Sequence, residues 1–128
     1  MFTIQKPRKF KNLNTERKKK LYSSQGWKNL SQIFKQEHPL CECCLEEGKT
    51  SSVEEVHHAV KFDDQETPEL RSMLLLDRDN LMALCRECHQ LYHKNPGELT
   101  ELQRNLFHER QMNIKRKYEG MLIFLNIK

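Results

Sequence analysis

The chain has 128 residues, which is the size of one domain. Hydrophobic residues make up 37% of it and charged residues 31%, so the core must be small for the length. No segment approaches the roughly 20 apolar residues of a membrane span, and the first residues lack the apolar stretch of a signal peptide. We therefore expect a cytoplasmic protein without a membrane partner, whose five cysteines are metal ligands rather than disulfides.

The charge of the chain is distributed unevenly. Residues 1–35 hold ten Lys or Arg and one acid, residues 36–79 carry a net charge of −8, and residues 80–128 carry +3. A cationic N-terminal segment suits a polyanion such as nucleic acid, but a solvated tail explains it equally well. The sequence predicts three parts, which are a basic flexible arm (1–21), a core (22–96) and a C-terminal helix with an apolar tail (97–128).

Apolar periodicity and turn residues predict a mixed α and β chain. In chain order they predict a helix over residues 23–37, a cysteine-bearing turn over 40–49, a strand within 52–60, an acidic loop over 62–68, a short helix over 69–76, a turn over 77–80, a strand over 81–84 and a helix over 86–94. A last helix starts near Glu98, with one apolar stripe of Leu99, Leu102 and Leu106 and an adjacent stripe of Phe107, Ile114 and Tyr118. The tail Met121 to Ile127 is predicted as a strand or a docking segment.

Two Cys-x-x-Cys pairs, Cys41 with Cys44 and Cys85 with Cys88, lie forty residues apart. Two intervening residues let one turn direct both thiolates at a single tetrahedral ion, so the two pairs complete a four-sulfur shell. A closed shell of this kind is typical of structural zinc, which a small core needs. Buried or redox-active cysteines are the alternative interpretation, and Cys43 has no predicted ligand role.

Four histidines and an asparagine form a second pattern. His57 and His58 are neighbours on a predicted strand, so their rings point to opposite faces. His89 and His93 are four residues apart on a predicted helix and share one face, where they can share a metal ion. Asn80 lies in the turn before the second strand. Singly, each histidine is more often a surface or hydrogen-bonded residue, but the complete set indicates a functional site.

These segments carry a resemblance to a known family. Pro39-Leu-Cys-Glu-Cys-Cys, then Glu55-Val-His-His, then Asp79-Asn-Leu followed by Ala-Leu-Cys-Arg-Glu-Cys-His resemble the HNH endonucleases. The similarity extends over residues 22–94 and is greatest to the small phage-encoded type with four zinc-binding cysteines. It implies an α+β fold, the zinc-stapled ββα-metal finger, in which two short antiparallel strands and a helix surround one catalytic metal.

The resemblance also implies a role for each residue of the second pattern. His58 is the general base, Asn80 orders the loop and helps to hold that base, and His89 is a metal ligand. Because the orientation of a histidine ring usually depends on a carbonyl, Asn80 is also the candidate to supply one for His58. His57 and His93 complete the set of metal ligands, as in the three-histidine subtype. The metal is Mg²⁺, Mn²⁺, Ni²⁺ or Zn²⁺, and the interpretation requires the ring of His58 to be open to solvent.

The function that the resemblance implies is hydrolysis of phosphodiester bonds in double-stranded DNA, leaving a 5′-phosphate and a 3′-hydroxyl. A lone site of this kind cuts one strand, so the protein is expected to act as a nickase with weak sequence preference, as a monomer or a dimer. The resemblance implies a setting in phage genome packaging, beside a terminase in the host cytoplasm. The alternatives are a non-catalytic zinc-knuckle module that binds nucleic acid, and a scaffold protein that docks through its last helix and tail.

Overall fold

The computed structural model describes residues 15–119 and residue 121. They form a small α+β fold, as the sequence predicts. Its elements are a helical segment at residues 15–22 (α1), α2 (Gln25–Glu37), α3 (Glu42–Leu45), β1 (Glu55–His58), α4 (Pro68–Leu76), a 3₁₀ turn (Arg78–Asn80), β2 (Leu81–Leu84), α5 (Arg86–Lys94), a second 3₁₀ turn (Pro96–Glu98) and α6 (Glu101–Lys117).

The two strands pair antiparallel over their whole length, with His57 opposite Met82 and His58 opposite Leu81. Because successive side chains alternate between the faces of a strand, this register directs His57 and Met82 to one face and His58 and Leu81 to the other. With α5, the strands make the ββα arrangement that the resemblance implies. The two histidines therefore lie on opposite faces of the same ribbon.

Each face of the ribbon is covered by its own hydrophobic cluster. The face of Leu81 packs against α2, α4 and the end of α6, through side chains that include Trp27, Leu74 and Ile114. The opposite face packs against the cysteine pairs, Leu99 and Phe107. The core is thus divided into two small halves by a two-stranded ribbon, and a core of this size is the kind that a metal site can stabilise.

Side-chain caps define where the helices begin. Ser24, Thr67 and Thr100 each accept a hydrogen bond from a backbone N–H in the first turn of the helix that follows, which satisfies one of the donors left free at a helix start. Cys41 and Cys85 do the same with their sulfur atoms at the starts of α3 and α5. The two cysteine pairs therefore also fix the first turns of two helices.

Several predicted elements differ from the structure. Residues 15–22 are helical, although the sequence predicts a flexible arm there, because Tyr22 packs on the core and anchors the segment. Leu102 was placed on the buried stripe of the last helix but is 56% exposed, since that helix begins at Glu101 and buries Gln103 and Phe107 instead. Residues 1–14 and most of the predicted apolar tail lie outside the described residues.

Within the described part of the chain, no helix has the length and apolar character needed to cross a bilayer.

Candidate metal centres and the adjoining cavity

The four predicted zinc ligands, Cys41, Cys44, Cys85 and Cys88, come together with all their sulfur atoms within 4.8 Å of one another. The Cys44 sulfur lies 3.9 Å from that of Cys85 and 3.7 Å from that of Cys88. A tetrahedral ion with Zn–S bonds near 2.3 Å separates its sulfur ligands by about 3.8 Å. The four thiols therefore fit a zinc ion without rearrangement.

Hydrogen bonds orient the sulfur atoms of this cluster. The backbone N–H groups of Cys44 and Cys88 each point at the first sulfur of their own pair, at 3.4 Å. The hydroxyl of Ser51 lies 3.1 Å from the Cys44 sulfur. Cys43 is fully buried beside the cluster, and burial raises the pKa of its thiol to about 11, but its sulfur is not among the four that converge.

The imidazoles of His57, His89 and His93 also converge. His57 Nδ1 lies 3.2 Å from His89 Nε2, and His93 Nε2 lies 3.1 Å from the same atom. Three nitrogens at about 2.0–2.1 Å from one tetrahedral ion are about 3.3–3.4 Å apart, which is close to the observed spacing. The strand supplies one ring and two successive turns of α5 supply the others, as the four-residue spacing of His89 and His93 predicts.

A carboxylate that the sequence analysis did not single out fixes the state of His89. The Nδ1 atom of His89 lies 2.6 Å from Oε1 of Glu55. Since an ionised carboxylate only accepts hydrogen bonds, Nδ1 carries the proton and Nε2 presents a lone pair to the other two rings. The hydrogen bond from His89, with the nearby Arg86, lowers the pKa of Glu55 and keeps it ionised.

The ring of His57 is positioned by packing instead. It lies edge-on to Tyr92 and Phe107, with centroids 5.1 and 5.6 Å away. Its Nε2 atom is buried without a hydrogen-bond partner among the described residues. Burial and the positive charges of neighbouring groups lower the pKa of His57 to about 3. A neutral ring with one nitrogen directed at His89 is the form that binds a metal ion.

The same two causes act on His93, since burial and the charge of His89 lower its pKa. Within the cluster, the lone pair on His89 Nε2 faces a nitrogen of His57 and a nitrogen of His93. A single cation is the simplest partner for these three nitrogens. The three residues therefore fit a divalent ion.

His58 departs from expectation. Its ring is 8% exposed, not open to solvent, because it packs between Trp27 and Phe62 with centroids 4.8 and 4.7 Å away. Its Nε2 donates to the carbonyl of Leu75 at 3.1 Å, so that Nδ1 is the basic nitrogen. Burial lowers its pKa to about 4. The ring is therefore neutral at cellular pH.

Asn80 is fully buried and joins the last turn of α4 to the segment that follows β1. Its side-chain oxygen accepts from the Val60 N–H at 2.8 Å, and its amide donates to the carbonyls of Val60 and Leu74 at 3.0 Å each. The prediction that Asn80 supplies the carbonyl that orients His58 is wrong, because Leu75 does so. Asn80 instead hydrogen-bonds Leu74, the residue before Leu75, and Val60, which follows the histidine pair.

A cavity of about 300 Å³ joins the two faces of the ribbon. His57, His58, His89 and His93 all line it, so His58 shares this space with the three converging rings. Lys18 from α1 and Lys61 after β1 line it as well. Asp63 is the acidic residue of the lining, so the acidic loop reaches the site.

Residues 41–95 match the family model described as HNH endonuclease. The match spans both cysteine pairs, the strands, Asn80 and α5. No curated protein and no solved structure matches the chain.

Proposed function

We propose, from the premise that residues 41–95 form an HNH endonuclease domain, that the protein is a metal-dependent DNA endonuclease. It hydrolyses phosphodiester bonds of double-stranded DNA, one strand at a time, and leaves a 5′-phosphate and a 3′-hydroxyl. The observation that carries the proposal is the convergence of three imidazole nitrogens in the cavity that His58 also lines.

His57, His89 and His93 would hold the catalytic ion. Imidazole ligands suit Zn²⁺ and Ni²⁺, and positions left open to oxygen ligands also allow Mg²⁺ or Mn²⁺. When bound, a divalent cation supplies positive charge that stabilises the phosphate and the departing 3′-oxygen. Glu55 accepts a hydrogen bond from Nδ1 of His89, so Nε2 is the nitrogen left for the ion and the ring is aligned for this role, as beside metal-binding histidines generally.

His58 is the general base in this proposal. Its ring is not open to bulk solvent, although the sequence interpretation required it to be, so water would have to reach it through the cavity that it lines. Its Nε2–H is held by the Leu75 carbonyl, so Nδ1 is the atom that accepts a proton from water. Neutrality at cellular pH keeps that lone pair available. A bound phosphate raises the basicity of the ring, because a nearby negative charge favours the imidazolium form. Asn80 is a positioning residue that braces the segments on either side of His58.

Cys41, Cys44, Cys85 and Cys88 hold the structural zinc in this account. The ion joins the start of α3 to the start of α5, and α5 carries two of the three histidines. A four-thiolate shell leaves no position for substrate, so this ion stabilises the fold without taking part in hydrolysis.

The remaining parts of the proposal concern setting and partners. A single centre of this kind nicks one strand, so a double-strand break requires a dimer or two successive events. DNA is bound mainly through phosphates, with weak sequence preference. The resemblance to small phage-encoded members supports action in the cytoplasm of a host cell, beside a terminase during genome packaging.

Plasmid nicking tests the proposal. Zinc-loaded protein is incubated with supercoiled DNA and Mg²⁺, Mn²⁺, Ni²⁺ or Zn²⁺, and the nicked form is measured over time. We expect metal-dependent nicking that falls about 10²–10⁴-fold in His58→Ala, the usual contribution of a general base. His108→Ala, which removes an exposed histidine of α6, is the matched control and should nick normally.

Nicking by His58→Ala at the wild-type rate would exclude His58 as the base. If the wild type binds DNA but does not nick it with any of the four metals, the non-catalytic zinc-knuckle module is the better account.

A further inference from the structure

Two lysines reach the histidine cavity from different parts of the fold. Lys18 belongs to α1, and Lys61 lies three residues after the end of β1. Both side chains are exposed, whereas His57 and His58 in the same lining are buried. The lysines, together with the exposed His93, therefore lie at the open side of the cavity, and His57 and His58 lie at its closed side.

Four cations elsewhere on the described surface are paired with acids. Arg110 pairs with Glu42, and Lys117 pairs with Asp77 and Asp79. Arg78 and Arg86 are likewise paired, with Glu37 and with Glu54 and Glu55. These pairs account for much of the negative charge of residues 36–79.

Lys18 and Lys61 form no ion pair with an acid among residues 15–119, and they are the two lysines that line the cavity. Asp63, the acidic residue of the cavity lining, is buried, and its backbone carbonyl accepts a hydrogen bond from Arg17. The open side of the cavity thus presents two ammonium groups without an acidic partner among the described residues, beside the cluster of three imidazoles.

We propose that Lys18 and Lys61 bind the backbone phosphates on either side of the phosphodiester that is cut. The inference rests on the proposed function and names the substrate feature that the cavity recognises, which is a run of successive phosphates. In the proposed function, the imidazole cluster and its ion bind the phosphate that reacts. The two exposed ammonium groups are then available for its neighbours, and they act as positioning residues without reading base sequence.

The first test is DNA binding by the full-length, zinc-loaded protein without added catalytic metal. Each lysine–phosphate contact releases about 0.9 counterion, so Lys18→Ala/Lys61→Ala should reduce the slope of log K against log salt by about 1.8. At 0.1 M salt, the release of about 0.9 counterion strengthens DNA binding about eightfold for each contact, relative to 1 M salt. Loss of both contacts should therefore weaken binding about 60-fold. Lys18→Arg/Lys61→Arg should restore the slope.

The control is Lys28→Ala/Lys49→Ala, which removes two exposed lysines that do not line the cavity. It should leave both the slope and the affinity close to wild type. A double variant at positions 18 and 61 that binds like this control, with an unchanged slope, would overturn the inference.

The second test compares two substrates. Bis(p-nitrophenyl) phosphate has a single phosphodiester, so its hydrolysis by Lys18→Ala/Lys61→Ala should stay within twofold of wild type, whereas KM for plasmid DNA should rise at least tenfold. An equal loss on both substrates would overturn the inference, because the lysines would then act on the reacting phosphate. Lysine-dependent DNA binding with no cleavage by wild type would instead refute the proposed function and leave the phosphate contacts standing.

Discussion

Glu55 offers the sharpest test of how the histidine cluster is organised. Its carboxylate lies 2.6 Å from Nδ1 of His89, on the side of the ring away from the other two histidines. Replacing it with alanine leaves the Nδ1–H without this acceptor and allows the ring to take the other tautomer or to rotate. We therefore expect Glu55→Ala to weaken metal binding although it removes no ligand.

The magnitude follows from the type of contact. A hydrogen bond to a charged acceptor contributes about 1.5–3 kcal/mol, and about 1.4 kcal/mol changes an equilibrium tenfold. The loss in metal affinity should therefore be about 10–100-fold, the range found for carboxylates that support metal-binding histidines. Glu55→Gln retains an acceptor oxygen without the charge and should lose less.

Isothermal titration of the zinc-loaded protein with Ni²⁺ measures this affinity, and nicking as a function of Mn²⁺ concentration gives a second reading. Glu54→Ala is the matched control, because Glu54 contacts Arg86 and not His89. Metal affinity of Glu55→Ala equal to that of Glu54→Ala would refute the assigned role of Glu55.

Three further predictions concern the framework around the site. Cys88→Ser should lose the structural zinc and most of its thermal stability, whereas Cys43→Ala should retain one equivalent of zinc by elemental analysis. Asn80→Ala leaves the buried Val60 N–H unpaired and should lower the free energy of unfolding by about 2–4 kcal/mol in urea titrations. Arg110→Ala removes hydrogen bonds to Glu42 and to the Leu81 carbonyl and should cost about 1 kcal/mol, since the contact is only half-buried. Unchanged stability in either of the last two variants would contradict the assigned contact.

The elements closest to the metal ligands were the easiest to predict. Residues 81–84 and 86–94 form the predicted strand and helix, because a short apolar run, a capping cysteine and a following Asn-Pro-Gly all favour the same boundaries. The helix at residues 15–22 was missed, because its lysine-rich composition resembles a solvated tail. The stability of that segment comes from a tertiary contact of Tyr22 that no local pattern reveals.

The histidine cluster was predictable for a similar reason. Helical spacing brings His89 and His93 together, and the strand brings His57 to the same face of the ribbon. Glu55 could have been found as well, because a residue two positions before His57 shares its face of the strand. The surroundings of His58 could not have been predicted, because the Leu75 carbonyl comes from a distant helix. Every residue has a backbone carbonyl, so residue type does not indicate which one a histidine contacts.

The central claim is that His57, His89 and His93 together hold one divalent ion beside His58. It is tested most directly by a crystal structure of the zinc-loaded protein soaked with Mn²⁺ or Ni²⁺, with anomalous data collected at the edge of the added metal. The account predicts one anomalous peak at about 2.0–2.2 Å from the nitrogen of each of these three rings. A peak bound elsewhere, or no peak at this cluster in crystals of protein that nicks DNA with the same metal, would contradict it.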